Sequence, residues 1–214
     1  LEKNYVVSSH KRNLLLDNVN IYKEKKLTEN RINLILDEVN PKKIINLIGM
    51  TSIEDCEKNQ ERAFFTNVDI PKFIARAALK KRIKFIHFST DHLFDGKKEF
   101  YTEDCITCPL NFYGKTKALA EEKILKENSN SLIIRSNFYC WGPRYRKSFS
   151  DFIYENLLAN ISIKLFKDIF YTPIKAKELI RIVLMLENTN ASGIYNISSS
   201  ERITKYDFGL QLAE

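Results

Sequence analysis

The 214-residue sequence predicts an α/β protein, a doubly wound and mostly parallel sheet with a smaller C-terminal lobe. Three observations carry that prediction. Short β-branched and aromatic runs at residues 43–49, 81–88 and 131–135 alternate with longer helical runs at 28–39, 54–80 and 110–127. The second of these strands leads into Ser89-Thr90-Asp91, which places hydroxyls and a carboxylate beyond a strand's carboxyl end, where open parallel sheets bind ligands. The helical run that follows carries Tyr113 and Lys117 four residues apart, hence on one face.

Taken in order, residues 3–9 read as a strand followed by His10-Lys11-Arg12, and 18–22 as a short second one. Thr28 caps an amphipathic helix whose apolar positions are Ile32, Leu34, Ile35, Leu36 and Val39. In the 43–49 strand, alternation lets only one of Leu47 and Ile48 face a given side. Asp69-Ile70-Pro71 predicts a break in the 54–80 helix, because proline has no N–H to give. Pro109 precedes the 110–127 helix, rich in Lys, Ala, Leu and Glu.

After Tyr139 the character changes. Residues 140–147 form an aromatic and basic turn containing Arg144 and Arg146. A helix at 149–158, a strand at 162–166, a helix at 176–186, a strand at 194–197 and a last helix capped by Thr204 follow. The expected division is a main domain over 1–139 and a lobe over 140–214, with 194–197 returning to the main sheet.

Composition narrows the function classes. The chain is 44% hydrophobic and 12% aromatic, as expected of a globular core. No apolar run approaches the ~18 residues that span a bilayer, and the start does not read as a signal peptide, so a cytoplasmic protein without membrane contact is expected. Cys105 and Cys108 form a C-x-x-C pair, but no second pair follows and there are only three histidines. Incidental reduced thiols are the better reading, and no metal is expected. The net charge of +7 is spread along the chain without a basic run interleaved with aromatics, which argues against a nucleic-acid partner. It is compatible with an anionic small-molecule substrate.

The Tyr113–Lys117 spacing has a chemical use. A free phenol titrates near ~10, and an ammonium one helical turn away favours its phenolate form. Tyr113 can then give a proton to a carbonyl oxygen as hydride arrives, while Thr90 holds the same oxygen. Tyr-x-x-x-Lys alone is a weak signal. The order of strand, Ser-Thr-Asp, loop, Pro and then Tyr-x-x-x-Lys is much stronger.

On these residues the chain resembles the extended short-chain dehydrogenase/reductases, and within them the dTDP-4-dehydrorhamnose reductases. The matching segments are Ile45-Asn46-Leu47-Ile48-Gly49-Met50-Thr51, Phe88-Ser89-Thr90-Asp91 through Phe94-Asp95-Gly96, the block from Pro109 to Lys117, and Ile134-Arg135-Ser136. The resemblance implies a Rossmann-like cofactor domain in which Lys3 to Ser9 is the second strand. About one βα unit, roughly 25 residues with its Gly-rich turn, is expected to be missing before it. It also implies NADPH-dependent reduction of the 4-keto group of a deoxy-nucleotide sugar, for cell-surface polysaccharide precursors. Thr90, Tyr113 and Lys117 would be catalytic. Lys11, Arg12, Leu47, Ile48, Gly49, Ser89 and Ser136 would line the cofactor together with Tyr113 and Lys117. Lys11 and Arg12 favour the 2′-phosphate of NADPH, with NADH as the alternative. Asp91, Asn137, Phe138, Arg144 and Arg146 would meet the nucleotide sugar, the two arginines its diphosphate.

Related dehydratases carry Thr-Asp-Glu where this chain has Thr90-Asp91-His92, so dehydration is disfavoured. Epimerisation reuses the same Tyr and Lys and stays open as an alternative. So does a non-catalytic, NAD(P)-binding regulatory subunit. Asn67 matches a residue common in the family and reads as a buried structural amide. Oligomeric state is open, a homodimer being the commonest closed arrangement.

Overall fold

The structure is a computed structural model and describes residues 5–9, 19–24, 26–142 and 147–214. Lys11, Arg12, Arg144 and Arg146 lie outside the described residues. The chain divides into two compact units, Leu1–Ile86 with Asn111–Ser131, and His87–Leu110 with Leu132–Glu214.

In the first unit β1 (Val6–Ser9) runs parallel to β2 (Asn20–Lys23), with Val6 opposite Asn20 and Ser9 opposite Lys23. Glu24 follows, buried, and takes a two-pronged contact from Arg31, with Nε to Oε2 at 2.9 Å. That guanidinium holds the Glu24 carboxyl below its ordinary pKa. Helix α1 (Glu29–Val39) begins as expected at Thr28, whose hydroxyl accepts from Arg31 N. It buries Ile32 and Leu36 and ends at Asn40 in the left-handed region.

Strand β3 (Lys43–Asn46) is shorter than the sequence suggests. The chain leaves the ladder at Leu47 because side-chain amides take over its backbone groups. Asn46 Oδ1 accepts from Ile48 N at 3.1 Å, and Asn67 both accepts from Met50 N (2.7 Å) and donates to Met50 O (3.0 Å).

The next helical stretch is α2 (Ile53–Lys58), α3 (Gln60–Phe64), a π-helical segment Phe65–Asp69, and α4 (Ile70–Lys81). The break expected at Asp69-Ile70-Pro71 is a widening instead. Ile70 N reaches back five residues to Phe65 O, and this wider turn accommodates a proline whose missing N–H could not have bonded residue 67. Helix α4 ends where the sequence suggested a strand had begun. Arg82 has φ +56°, and Ile83 N returns to Ala78 O at 2.9 Å, a left-handed cap that takes up the last carbonyls. Strand β4 is therefore Lys84–Phe88.

Helix α5 (Phe112–Glu127) starts two residues later than expected, because Asn111 is its cap. Asn111 Oδ1 accepts from Gly114 N at 2.8 Å, and Glu57 Oε1 accepts from Phe112 N at 2.7 Å. Arg76 of α4 ties the helices together, reaching Glu127 of α5 (2.7 Å) and Glu29 of α1 (3.0 Å).

The second unit contains β5 (Leu132–Arg135), buried along its length, then β6 (Phe138–Tyr139) and α6 (Phe149–Leu158). A capping box between Ser148 and Asp151 starts α6. After it come β7 (Phe170–Tyr171), β8 (Ile174–Lys175), α7 (Ala176–Asn188), β9 (Gly193–Asn196), β10 (Ile203–Thr204) and α8 (Lys205–Ala213). Strand β9 lies parallel to β5, with Leu132 opposite Gly193 and Arg135 opposite Asn196. Gly193 enters it at φ +89°, a conformation that side-chain-bearing residues avoid.

The strand expected at 162–166 forms no ladder. Its alternation is satisfied by packing instead, with Ile163 and Leu165 against the core of Ile153, Tyr171 and Phe208. Gly209 makes room for it, since a Cβ there would clash with Leu165 Cδ1. The short ladders β7–β10 (antiparallel) and β6–β8 (parallel), which periodicity does not reveal, supply the backbone pairing of this region.

Candidate active site

Each unit assembles part of the expected site. In the first, Asn67 is fully buried and spans two elements, bonding both backbone groups of Met50 and donating to Thr116 Oγ1 at 3.0 Å. This fixes the chain after β3 relative to α5. Leu47, just past the end of β3, is 72% exposed, while Ile48 is half-buried. A Cβ on Gly49 would sit 3.6 Å from Asn67 Oδ1, ordinary contact, so packing alone does not demand glycine there.

On α5, Tyr113 is half-buried, and its carbonyl accepts from Thr116 Oγ1 at 2.7 Å. Lys117, one turn on, is 4% exposed. Burial pushes its ammonium down to a pKa of about 8, against the opposing pull of Glu121 one further turn along. A group at about 8 is still roughly nine-tenths charged at pH 7. The helix thus holds a desolvated cation one turn from a phenol.

The second unit gathers the carboxyl-end residues. Ser89 N donates to Ile134 O at 2.6 Å, which sets the Ser-Thr-Asp segment beside β5. Thr90 is 5% exposed; its hydroxyl accepts from His92 N (3.2 Å) and donates to Asp91 Oδ1 over a long 3.3 Å. Asp91 Oδ2 accepts from Asn137 Nδ2 at 3.0 Å. Thr90, Asp91 and Asn137 are therefore one hydrogen-bonded group. Phe138, next along, is half-exposed at the start of β6.

The hydroxyls of Ser89 and Ser136 are buried without a hydrogen-bond partner among the described residues. Buried hydroxyls are normally satisfied, so this pair fits a site that a polar cofactor completes. The loop that follows is pinned from behind. Glu103 accepts from Asn196 N (2.7 Å), Tyr101 O accepts from Asn196 Nδ2 (2.9 Å), and Arg135 donates to Glu103 O (3.3 Å).

The family model of the RmlD substrate binding domain matches residues 2–214. The chain belongs to that family. Among curated relatives of this RmlD-family chain, a probable low-salt glycan biosynthesis reductase of Haloferax volcanii is 32% identical, over 86% of this chain and 63% of its own. A dTDP-4-dehydrorhamnose reductase of Aggregatibacter actinomycetemcomitans is 29% identical over 83% and 62%. The beta subunit of methionine adenosyltransferase 2 from Xenopus laevis is 27% identical over 88% and 58%. The chain thus spans about three-fifths of the length of these relatives. A crystal structure of a hypothetical dTDP-4-dehydrorhamnose reductase from Sulfolobus tokodaii superposes with a TM-score of 0.84 at 29% identity, covering 99% of this chain and 73% of that one. The α/β, Rossmann-like fold read from the sequence is the fold of this RmlD-family chain.

Sequence reasoning passes over one charged residue of the second unit, Lys205, whose ammonium lies over the Tyr171 and Phe149 rings. It is legible in the sequence only as part of a helix cap. A cation in a helix's first turn opposes the helix dipole, and that anomaly is the signal that could have marked it. Among the described residues no three His, Cys, Asp or Glu converge as metal ligands, and no helix is long and apolar enough to cross a membrane.

Proposed function

We propose that the protein reduces the 4-keto group of a deoxy-nucleotide sugar with NADPH, in the supply of polysaccharide precursors. The observation that carries this is the buried ammonium of Lys117 one turn from Tyr113, because a structural helix gains nothing from a desolvated charge at that place. Tyr113 gives a proton to the sugar oxygen, Lys117 stabilises the phenolate left behind and holds the nicotinamide ribose, and Thr90 orients the oxygen through its hydroxyl. The cofactor, when bound, supplies the hydride.

Thr90's long bond to Asp91 is one it can exchange for the substrate oxygen at small cost. Leu47, Ile48 and Gly49 offer backbone, and Ser89 and Ser136 unfilled hydroxyls, to the cofactor. Lys11 and Arg12 take its 2′-phosphate in this reading, while Asn137, Phe138, Arg144 and Arg146 join Asp91 on the nucleotide sugar. The protein then works in the cytoplasm, as a homodimer. Support for the substrate class comes from relatives named as reductases of dTDP-linked keto sugars.

The likeness to a methionine adenosyltransferase subunit favours a second reading, a non-catalytic partner protein that keeps the fold. Stopped-flow oxidation of NADPH, followed by its absorbance, with a dTDP-4-dehydro-6-deoxy sugar separates the two. Stoichiometric loss of absorbance supports the reductase, and cofactor binding without oxidation supports the subunit. Epimerisation would convert the sugar with no net loss of NADPH.

A further inference from the structure

Trp141 and Tyr154 pack edge to face within the second unit, their ring centroids 5.3 Å apart and their planes at 65°. Both stand in solvent, Trp141 59% exposed and Tyr154 46%. The other ring contacts near α6 are core packing, since Tyr139, Phe149 and Tyr171 all sit against the buried Phe208. In an edge-to-face contact one ring gives its edge and the other a single face. Whichever part the indole plays, at least one of its faces is free of Tyr154.

The backbone that carries the indole is held on both sides. Before it, the Cys140 carbonyl accepts from the Ser150 hydroxyl at 2.9 Å and lies 2.7 Å from that of Ser148. After it, Gly142 N donates at 2.8 Å to Asp151 Oδ2, the carboxylate of the capping box that starts α6. Two adjoining aromatic rings left in water on a fixed backbone are poised for a ligand, because little ordering entropy remains to be lost. Trp141 lies three residues after Phe138, the half-exposed ring assigned above to the nucleotide sugar. Three residues of chain reach about 10 Å at most. A ligand that meets both rings carries a second flat group at some distance from its sugar. A nucleotide sugar has one such group, the base on the far side of its diphosphate.

We propose that Trp141 and Tyr154 form the stacking platform for the pyrimidine base of the nucleotide sugar, the base lying on the open indole face and Tyr154 bracing the indole. The assignment rests on the function proposed above and adds the residues that hold the base end of its substrate. Cys140 to Gly142 lie outside the segments that carry the family resemblance, so the platform belongs to this chain. Stacking reads a planar π-face and not a hydrogen-bond pattern, so dTDP and UDP fit this surface alike.

The test is an equilibrium titration of the full-length protein with dTDP and with a deoxyribose diphosphate, which lacks the base. Trp141→Ala should weaken dTDP about tenfold or more and leave the base-less diphosphate unchanged. Trp141→Phe keeps a ring and should recover most of the affinity, and Tyr154→Ala should give a smaller loss with the same selectivity. Trp141 is the one tryptophan among the 214 residues. The emission that Trp141→Phe removes should be quenched in the parent at saturating dTDP, and this measurement decides the question if Trp141→Ala does not fold. Unquenched emission overturns the assignment, as does unchanged dTDP affinity in folded Trp141→Ala. Equal weakening of both ligands also overturns it, by putting the indole at the phosphates. Dissociation of an oligomer by Trp141→Ala with dTDP affinity intact would make the rings an interface between copies, which overturns it too. A parent that reduces no nucleotide sugar refutes the function itself, whereas an active parent beside an indifferent Trp141→Ala refutes only this inference.

Discussion

Lys117→Met removes a charge that the fold holds out of water, and its effect on stability depends on pH in a way that can be worked out. The side chain is 4% exposed, and its pKa falls from 10.5 to about 8 because burial disfavours the ammonium. Between those two values the unfolded chain keeps the proton while the folded one gives it up. Stability therefore rises with pH across that window, and below it the folded state carries the full desolvation penalty. The gap from 10.5 to about 8, at about 1.4 kcal/mol per pH unit, amounts to roughly 3.5 kcal/mol, of which about 2.5 falls between pH 7 and pH 10. Met has similar length and no charge, so the variant lacks this dependence. Urea denaturation of parent and variant at pH 7, 8, 9 and 10 should show the parent gaining about 2.5 kcal/mol on the variant over that range. The slope reports the net displacement of the pKa, so burial steepens it and any interaction that favours the ammonium, such as that of Glu121, flattens it. A difference that stays flat with pH would show that the Lys117 pKa is the same folded and unfolded, and would contradict the desolvated ammonium on which its role rests.

The same geometry sets three further outcomes. Thr90→Val should lower kcat by about 10²-fold or less, because the unpartnered Ser89 hydroxyl can replace part of its hydrogen bond; a fall equal to that of removing the proton donor would contradict this. Asn67→Leu leaves Met50 N without its side-chain acceptor and Met50 O with only the weak Cys56 Sγ donor, and should cost about 1–3 kcal/mol in urea denaturation; an unchanged midpoint would mean water replaces the amide. Lys11→Ala with Arg12→Ala should weaken NADPH far more than NADH in a binding titration, because only NADPH carries the 2′-phosphate. Equal weakening of the two would contradict the NADPH preference.

Much of the fold is legible in the chain. The helix at 149–158, the caps at Thr28 and Thr204, and the placement of Tyr113 and Lys117 on one helical face follow from local rules, and the structure has them. What the sequence hides depends on tertiary partners. The early end of β3 is dictated by Asn67, distant in sequence, and the left-handed cap at Arg82 falls on a residue with no intrinsic preference for it. Residues 162–166 show strand alternation but no strand, since alternation records which side chains are buried and is silent on whether the backbone finds a ladder. Lys205 escapes notice for a related reason. Its ammonium packs over the rings of Tyr171 and Phe149, neither of which is near it in the chain.

The central claim is that Tyr113 is the proton donor, and one measurement meets it directly: single-turnover oxidation of NADPH by the full-length Tyr113→Phe protein with the dTDP-4-dehydro-6-deoxy sugar, next to a cofactor-binding titration. Phenylalanine keeps the ring and its packing and removes only the hydroxyl. Turnover should fall by ~10²–10⁴, about 3–5 kcal/mol of barrier, with NADPH affinity nearly unchanged. Reduction of the sugar at the parent rate would contradict the account.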